Sequence, residues 1–69
     1  MTQYTIAELV KTSKGNRREI VQTFNGSDYE RAARMRYDEL VRTYPMTYFE
    51  LLKIEHTEDC LAFTPDRAL

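Results

Sequence analysis

The amino-acid sequence predicts an α+β fold, in which one helix packs on one face of a small antiparallel sheet of three to four strands. Two short segments rich in β-branched residues flank a polar turn, one helical stripe follows Asn25-Gly26, and two apolar runs follow Pro45. The predicted order is strand, strand, helix, strand, strand, a segregated pattern that is typical of α+β domains. A chain of 69 residues has room for a single small domain over 1–69.

The first two strands are predicted at YTIAELVKT and REIVQTF, which are short and rich in Ile, Val, Thr and aromatic residues. Between them, SKGN is a polar turn whose glycine can take a positive φ. This pattern favours a hairpin. An alternative stays open, because Thr5 with Glu8 fits a capping box and Gly15 fits a helix end. Residues 5–24 would then form a helix-turn-helix pair in a mostly α fold.

The helix is predicted over about residues 28–44. Ser27 and Glu30 have the spacing of a capping box, in which hydroxyl and carboxylate bond to free backbone amides of the first turn. Pro45 ends the helix, because the residue before a proline is driven out of the helical region. The apolar residues recur at intervals of three and four along one stripe: Tyr29, Ala32, Ala33, Tyr37, Leu40, Val41 and Tyr44.

The third and fourth strands are predicted at TYFELLKIE and CLAF, with polar HTED turning the chain between them. Whether residues 60–64 form a strand stays open. One helix covers one face of such a sheet, so the other face is a candidate interface, including one for a homodimer. The alternative is the ordinary scatter of exposed apolar residues. Some of the following side chains are expected on that uncovered face: Tyr4, Ile6, Val21, Tyr48, Leu52 and Ile54.

Charge is unevenly distributed, although the whole chain carries only −1. Residues 1–36 hold seven Lys or Arg against four acids, and residues 37–69 hold three against seven. The predicted hairpin tip collects Lys11, Lys14, Arg17 and Arg18, and we expect no core to need the last three. Such a patch can bind phosphates or an acidic protein surface. The alternative is that it is a solvated loop without a binding role. A pI near 5.7 argues against sequence-independent binding of nucleic acid.

The C-terminal acidic tract has two interpretations of its own. It can dock on a basic groove of an enzyme that handles nucleic acid, or it can keep an edge strand soluble. Its members are Glu55, Glu58, Asp59 and Asp66.

Catalytic and metal-binding patterns are weak. HTEDC brings His56 near Cys60, but a metal needs three or four converging ligands and a cysteine nucleophile needs a base held against it. Two glycines are too few for a phosphate-binding loop. We therefore expect no enzyme, no metal and no cofactor. A single cysteine, the lack of a signal-peptide pattern and the lack of a long apolar run predict a cytoplasmic protein without a membrane partner.

The segment YPMTYFELLKIE and the predicted element order resemble small bacteriophage-encoded proteins that block host enzymes, in particular the phage inhibitors of bacterial RNA polymerase. In that family, a strand like the one from Phe49-Glu50 onward presents basic residues to the enzyme, and Lys53 lies at such a place. Glu55 stands where the family pattern has a second basic residue, so the chain departs from the family at the contact itself. Other antidefence proteins share this size and style.

The sequence therefore predicts a noncatalytic protein-interaction module. We expect it to be a phage-encoded inhibitor that binds a host nucleic-acid machine and acts by occupying the site it binds. RNA polymerase or a defence complex in the host bacterial cytoplasm is the expected kind of target. The alternative is a small DNA- or RNA-binding regulator that uses the basic hairpin tip. The candidate partner-binding residues are Lys11, Lys14, Arg17, Arg18, Tyr48, Lys53 and Glu55.

Overall fold

The structure, a computed structural model, describes residues 2–63 and contains one α-helix and four strands. The elements are β1 (Gln3–Thr12), β2 (Gly15–Asn25), a 3-10 turn (Ser27–Tyr29), α1 (Glu30–Thr43), β3 (Tyr48–Ile54) and β4 (Glu58–Phe63). The predicted α+β class and the order of its elements are confirmed. The helix-turn-helix alternative is wrong, because the segment that would hold both helices forms two paired strands.

The sheet is antiparallel throughout and has the order β2-β1-β3-β4. β1 is central and pairs along its length with β2, while its first seven residues also pair with β3. β4 is a real strand that covers the outer side of β3, so residues 60–63 belong to the sheet, and residue 64 lies outside the described residues. β2 and β4 are the two edges.

The β1–β2 hairpin extends beyond the rest of the sheet. β1 pairs with β3 only as far as Leu9, whereas its pairing with β2 continues to Thr12 and Gly15. Residues 10–17 therefore form a two-stranded projection, called the ribbon below. The turn at its end is stabilised by the Thr12 hydroxyl, which donates to the Gly15 carbonyl at 2.6 Å and accepts from the Lys14 amide at 3.3 Å.

The predicted capping box at the helix start is wrong. Ser27 already lies inside the 3-10 turn, and Gly26 precedes it at φ 129° without any side-chain cap on the helix. The Glu30 carboxylate binds elsewhere, because it accepts from Arg34 Nε at 2.9 Å and from the Tyr4 hydroxyl at 3.3 Å. A tertiary contact has thus replaced the local cap.

The core lies between α1 and one face of the sheet. From the helix, Ala33, Tyr37 and Leu40 are buried, and the sheet contributes mainly Tyr4, Ile6, Phe49 and Leu51. Each large apolar side chain buried there contributes about 1.5–3 kcal/mol to folding. The two ends of the predicted helical stripe, Tyr29 and Tyr44, are instead exposed, because α1 meets the sheet with its middle turns.

Some of the six residues named for the uncovered face do lie there, namely Tyr48, Leu52 and Ile54, whereas Tyr4 and Ile6 pack beneath the helix. Because side chains alternate along a strand, the intervening residues occupy the opposite face, called the open face below. Leu52 lies on the open face but is buried there, whereas Tyr48 is exposed. The open face carries Thr5, Ala7 and Leu9 from β1, Arg18 and Ile20 from β2, and Tyr48, Glu50, Leu52 and Ile54 from β3.

Candidate interaction surface

The ribbon presents its basic side chains to solvent. Lys11, Lys14 and Arg17 are all exposed. Arg17 Nη2 contacts Glu19 Oε1 at 2.7 Å, so part of its charge is compensated. Between residues 2 and 63, neither Lys11 nor Lys14 takes part in an ion pair. The end of the ribbon therefore carries two positive charges close together, and neither is compensated by an ion pair within residues 2–63.

Arg18 differs from its neighbours, because it is exposed and outside the core but pairs with a buried carboxylate. Its guanidinium lies over the open face, with Nη2 at 2.9 Å from Glu50 Oε2 and Nη1 at 3.0 Å from Glu58 Oε1. Glu50 is a buried residue with 6% exposure. Its Oε2 receives no directional hydrogen bond from residues 2–63, so the ion pair with Arg18 compensates its charge.

The contact between Arg18 and Glu58 reports on the shape of the sheet. In the strand register, Arg18 lies opposite Leu9, at the Tyr48 end of β3, whereas Glu58 lies opposite Ile54, at the other end. The two residues are thus at diagonally opposite corners. Their side chains nevertheless meet at 3.0 Å, and Arg18 also contacts Glu50 on the open face. A flat sheet would hold these corners too far apart, so we interpret the contact as a consequence of strand twist.

An exposed apolar patch adjoins the ribbon on the open face. Leu9 pairs with Arg18 on one side and with Tyr48 on the other, so these residues form a row across three strands. Tyr48 is 52% exposed, and Ile20, next along β2 on the same face, is 61% exposed. Tyrosine and arginine beside aliphatic side chains are enriched where proteins bind one another. The structure therefore places predicted Tyr48 together with the ribbon.

Lys53 and Glu55 are not part of this surface. Lys53 pairs with Tyr4 near the other end of the sheet, on the face that carries α1. Glu55 follows β3, and its Oε1 accepts a hydrogen bond of 2.8 Å from the Thr2 hydroxyl. That bond and the charge of Lys53 lower the pKa of Glu55. The candidate residues thus divide into a ribbon group and a separate pair at the opposite end.

A buried tyrosine links the sheet to the helix start. The Tyr4 hydroxyl donates to Glu30, and burial, followed by the charge of Glu30, raises the pKa of Tyr4. The hydrogen bond from Arg34 is the main reason why the pKa of Glu30 is lowered. These polar atoms satisfy one another, so we interpret the cluster as a structural link between β1 and α1.

A pocket on the helix side was not predicted from the sequence. It has a volume of about 310 Å³ and lies beside the last turns of α1, to which Arg36 and Leu40 belong. The sequence of β1 did contain an indication of it. The residues of β1 that face the helix are Tyr4, Ile6 and Glu8, and an acid at an inward position of a strand is unusual. The pocket is lined by Glu8, Val21, Arg36, Leu40, Tyr44, Thr47 and Phe49.

The HTEDC segment is drawn out along the β3–β4 turn and strand β4. Cys60 is exposed, and its thiol donates to the Ala62 carbonyl oxygen, with Sγ at 3.4 Å. Within residues 2–63, no three side chains of His, Cys, Asp or Glu are grouped so that they could hold a metal ion.

No helix in the described part of the chain combines the length and the apolar character that crossing a bilayer requires. Comparison with protein-family models, with curated proteins and with solved structures gives no match to this chain.

Proposed function

We propose that the chain is a noncatalytic protein-interaction module that binds an acidic surface of a partner protein and acts by occupying it. The observation that carries the proposal is the ribbon, which projects beyond β3 and ends in the uncompensated charges of Lys11 and Lys14. Exposed charge of one sign steers association and fixes orientation. The apolar patch beside it, with Tyr48 and Ile20, supplies the area that a stable contact must bury.

A narrower form of the proposal concerns the target. The resemblance of YPMTYFELLKIE to phage inhibitors supports a host nucleic-acid machine, such as RNA polymerase or a defence complex, as the partner. In those inhibitors the contact is made by basic residues on the strand that corresponds to β3. Here Lys53 faces the helix side and Glu55 is acidic and bonded to Thr2, so we assign the principal contact to the ribbon instead.

The second candidate is binding of nucleic acid, and it is favoured by the shape of the ribbon. A two-stranded ribbon fits the major groove of DNA. Its charge argues the other way, because Arg17 is paired with Glu19 and Arg18 with Glu50 and Glu58. Lys11 and Lys14, the ribbon cations without an ion pair within residues 2–63, provide little of the phosphate neutralisation on which such binding depends. Protein binding is therefore the better-supported function.

The experiment compares two double charge reversals with the same change in net charge. Lys11→Glu with Lys14→Glu alters the ribbon, whereas Arg31→Glu with Arg42→Glu alters exposed helix positions and serves as the control. Each protein is used as bait in a bacterial cytosolic extract at moderate salt, and the association rate with the recovered partner is measured at two salt concentrations. Retention on duplex DNA is measured in parallel.

We expect the unaltered chain and the helix control to recover the same stoichiometric partner. The ribbon variant should bind it more slowly and with a flatter salt response, because the steering charge is gone. A ribbon variant with an unchanged rate and salt response would refute the proposal. Retention of the unaltered chain on duplex DNA, lost in the ribbon variant alone, would favour the second candidate.

A further inference from the structure

The pocket beside the helix end is a concave site at the base of the ribbon. Glu8 precedes the ribbon by two positions and pairs with Phe49 on β3, so the pocket and the ribbon share strand β1. Its volume of about 310 Å³ is at the lower end of the range for small-molecule sites, which suits one long side chain. The pocket opens on the helix side, whereas Tyr48 and Arg18 lie on the open face.

The charged groups around the pocket are not equivalent. Arg36 lines the pocket, but its Nη1 is paired with Glu39 and its Nε donates to Gln22 Oε1 at 3.1 Å. Glu19, next to Glu8 on β2, is paired with Arg17. Glu8 alone among these carboxylates has no ion-pair partner within residues 2–63. The uncompensated charge in the pocket is therefore negative.

The remaining walls suit the stem and the charged group of a basic side chain. Val21 and Leu40 provide aliphatic surface, along which the methylenes of Lys or Arg can pack. Tyr44 and Phe49 line the same pocket with ring centroids 6.5 Å apart and tilted by 53°. Aromatic faces attract ammonium and guanidinium groups, most strongly where water is partly excluded.

We infer that this pocket binds the side chain of an arginine or lysine of the partner protein, with the cationic group at Glu8. The inference rests on the proposed function, because the same partner would meet the ribbon with its acidic groups and the pocket with a basic one. A partner of this kind carries both signs of charge close together. Specificity follows, since a uniformly acidic surface would satisfy the ribbon and leave Glu8 unpaired.

The test uses free probes, so it does not depend on finding the partner. The labelled chain is titrated with Nα-acetyl-arginine methylamide and with the corresponding citrulline amide, which has the same shape without the charge. The corresponding glutamate amide is the third probe. Binding is followed by the NMR signals of Val21, Leu40 and Thr47, which line the pocket. We expect saturable shifts there, with the arginine probe about tenfold tighter than the citrulline probe.

Two variants assign the charge preference to a residue. Glu8→Gln should reduce the advantage of arginine over citrulline to within about twofold, whereas Glu19→Gln, the matched control, should leave it unchanged. The ribbon variant Lys11→Glu with Lys14→Glu should bind the arginine probe as well as the unaltered chain does. Loss of the pocket and loss of the ribbon function are thereby distinguished.

Three results would overturn the inference. Equal affinity for arginine and citrulline probes would show that the pocket selects shape alone. Preference for the glutamate probe would show that Arg36 determines its charge selectivity. Absence of saturable shifts at Val21, Leu40 and Thr47 in the unaltered chain would show that no side chain of this kind binds there, whatever the variants do.

Discussion

Arg18 connects three strands through one guanidinium, because it extends from β2 to Glu50 on β3 and to Glu58 on β4. Its side chain is 42% exposed, yet the Glu50 carboxylate beneath it is almost fully buried. An exposed ion pair contributes little to stability, but a buried carboxylate that loses its cation is left without compensation. The importance of Arg18 therefore depends on the burial of Glu50.

Replacing Arg18 by Met should lower the free energy of unfolding by about 1–3 kcal/mol, as measured by urea denaturation. Arg17→Met is the matched control, since the partner of Arg17 is the exposed Glu19, and it should change stability by within about 0.5 kcal/mol. Adding Glu50→Leu to Arg18→Met should recover part of the loss, because the uncompensated charge is then removed. Equal losses for Arg17→Met and Arg18→Met would contradict this account.

The contacts of Arg18 could not be predicted from the sequence. The spacing of Lys11, Lys14, Arg17 and Arg18 around a turn was enough to predict a basic cluster at the hairpin tip. It was also enough to predict that Lys11, Lys14 and Arg17 are exposed. The partner of Arg18, however, lies 40 positions away in Glu58. Only the strand register and the twist of the complete sheet bring these two residues together, and neither is encoded in local spacing.

At the scale of elements, the junction between β2 and α1 depends on Gly26. Its φ of 129° and ψ of 144° belong to a region that is essentially restricted to glycine. The amide of Gly26 donates to the Thr2 carbonyl at 2.8 Å, which fixes the direction in which the chain enters the 3-10 turn. A Cβ added here would also lie 3.1 Å from the Tyr29 ring.

Gly26→Ala should therefore cost about 2–3 kcal/mol, and the loss should be visible as a lower midpoint of thermal unfolding. Gly15→Ala is the natural comparison, because Gly15 also has a positive φ, of 118°, but open space around it. Its cost should be about 1–2 kcal/mol, from backbone strain alone. A Gly15→Ala variant that is the less stable of the two would contradict the proposed role of the Tyr29 contact.

The elements themselves were largely predictable, since each has a strong local pattern. The strand segments, the hairpin turn and the helix up to Pro45 follow from β-branched runs, glycine placement and apolar periodicity. The side of the sheet on which the helix packs was not predictable. Tyr4 and Ile6 alternate with Thr5 and Ala7, and both sets are compatible with burial, so alternation alone does not say which set meets α1.

At the scale of the whole molecule, two carboxylates make stability depend on pH. The pKa of Glu30 is lowered chiefly by the Arg34 hydrogen bond, and that of Glu55 chiefly by the Thr2 hydrogen bond. A carboxyl whose pKa is lower in the folded state stabilises the fold above its unfolded pKa, about 4.3 for glutamate. That contribution is lost as the pH falls from there through the folded pKa.

We therefore expect the free energy of unfolding to decline as the pH falls from about 5 to about 3. Thr2→Val with Arg34→Met removes the main cause of each shift and should make this decline shallower. Thr43→Val with Arg31→Met is the control, because the Thr43 hydroxyl donates to a backbone carbonyl and Arg31 is exposed. Urea denaturation at several pH values measures the slope, and equal slopes for the two double variants would refute the assignment.

The central position of β1 has a consequence for synthesis. One neighbour, β2, follows β1 immediately in the chain, but the other, β3, is made only after the helix, and its Ile54 is the residue that pairs with Gln3. Once the residues up to Pro45 have emerged from the ribosome, the hairpin and the helix can form, yet the second edge of β1 is still without a strand. An uncovered edge is a template for pairing with other chains. Strand β1 is thus open to pairing with other chains until β3 has left the ribosome.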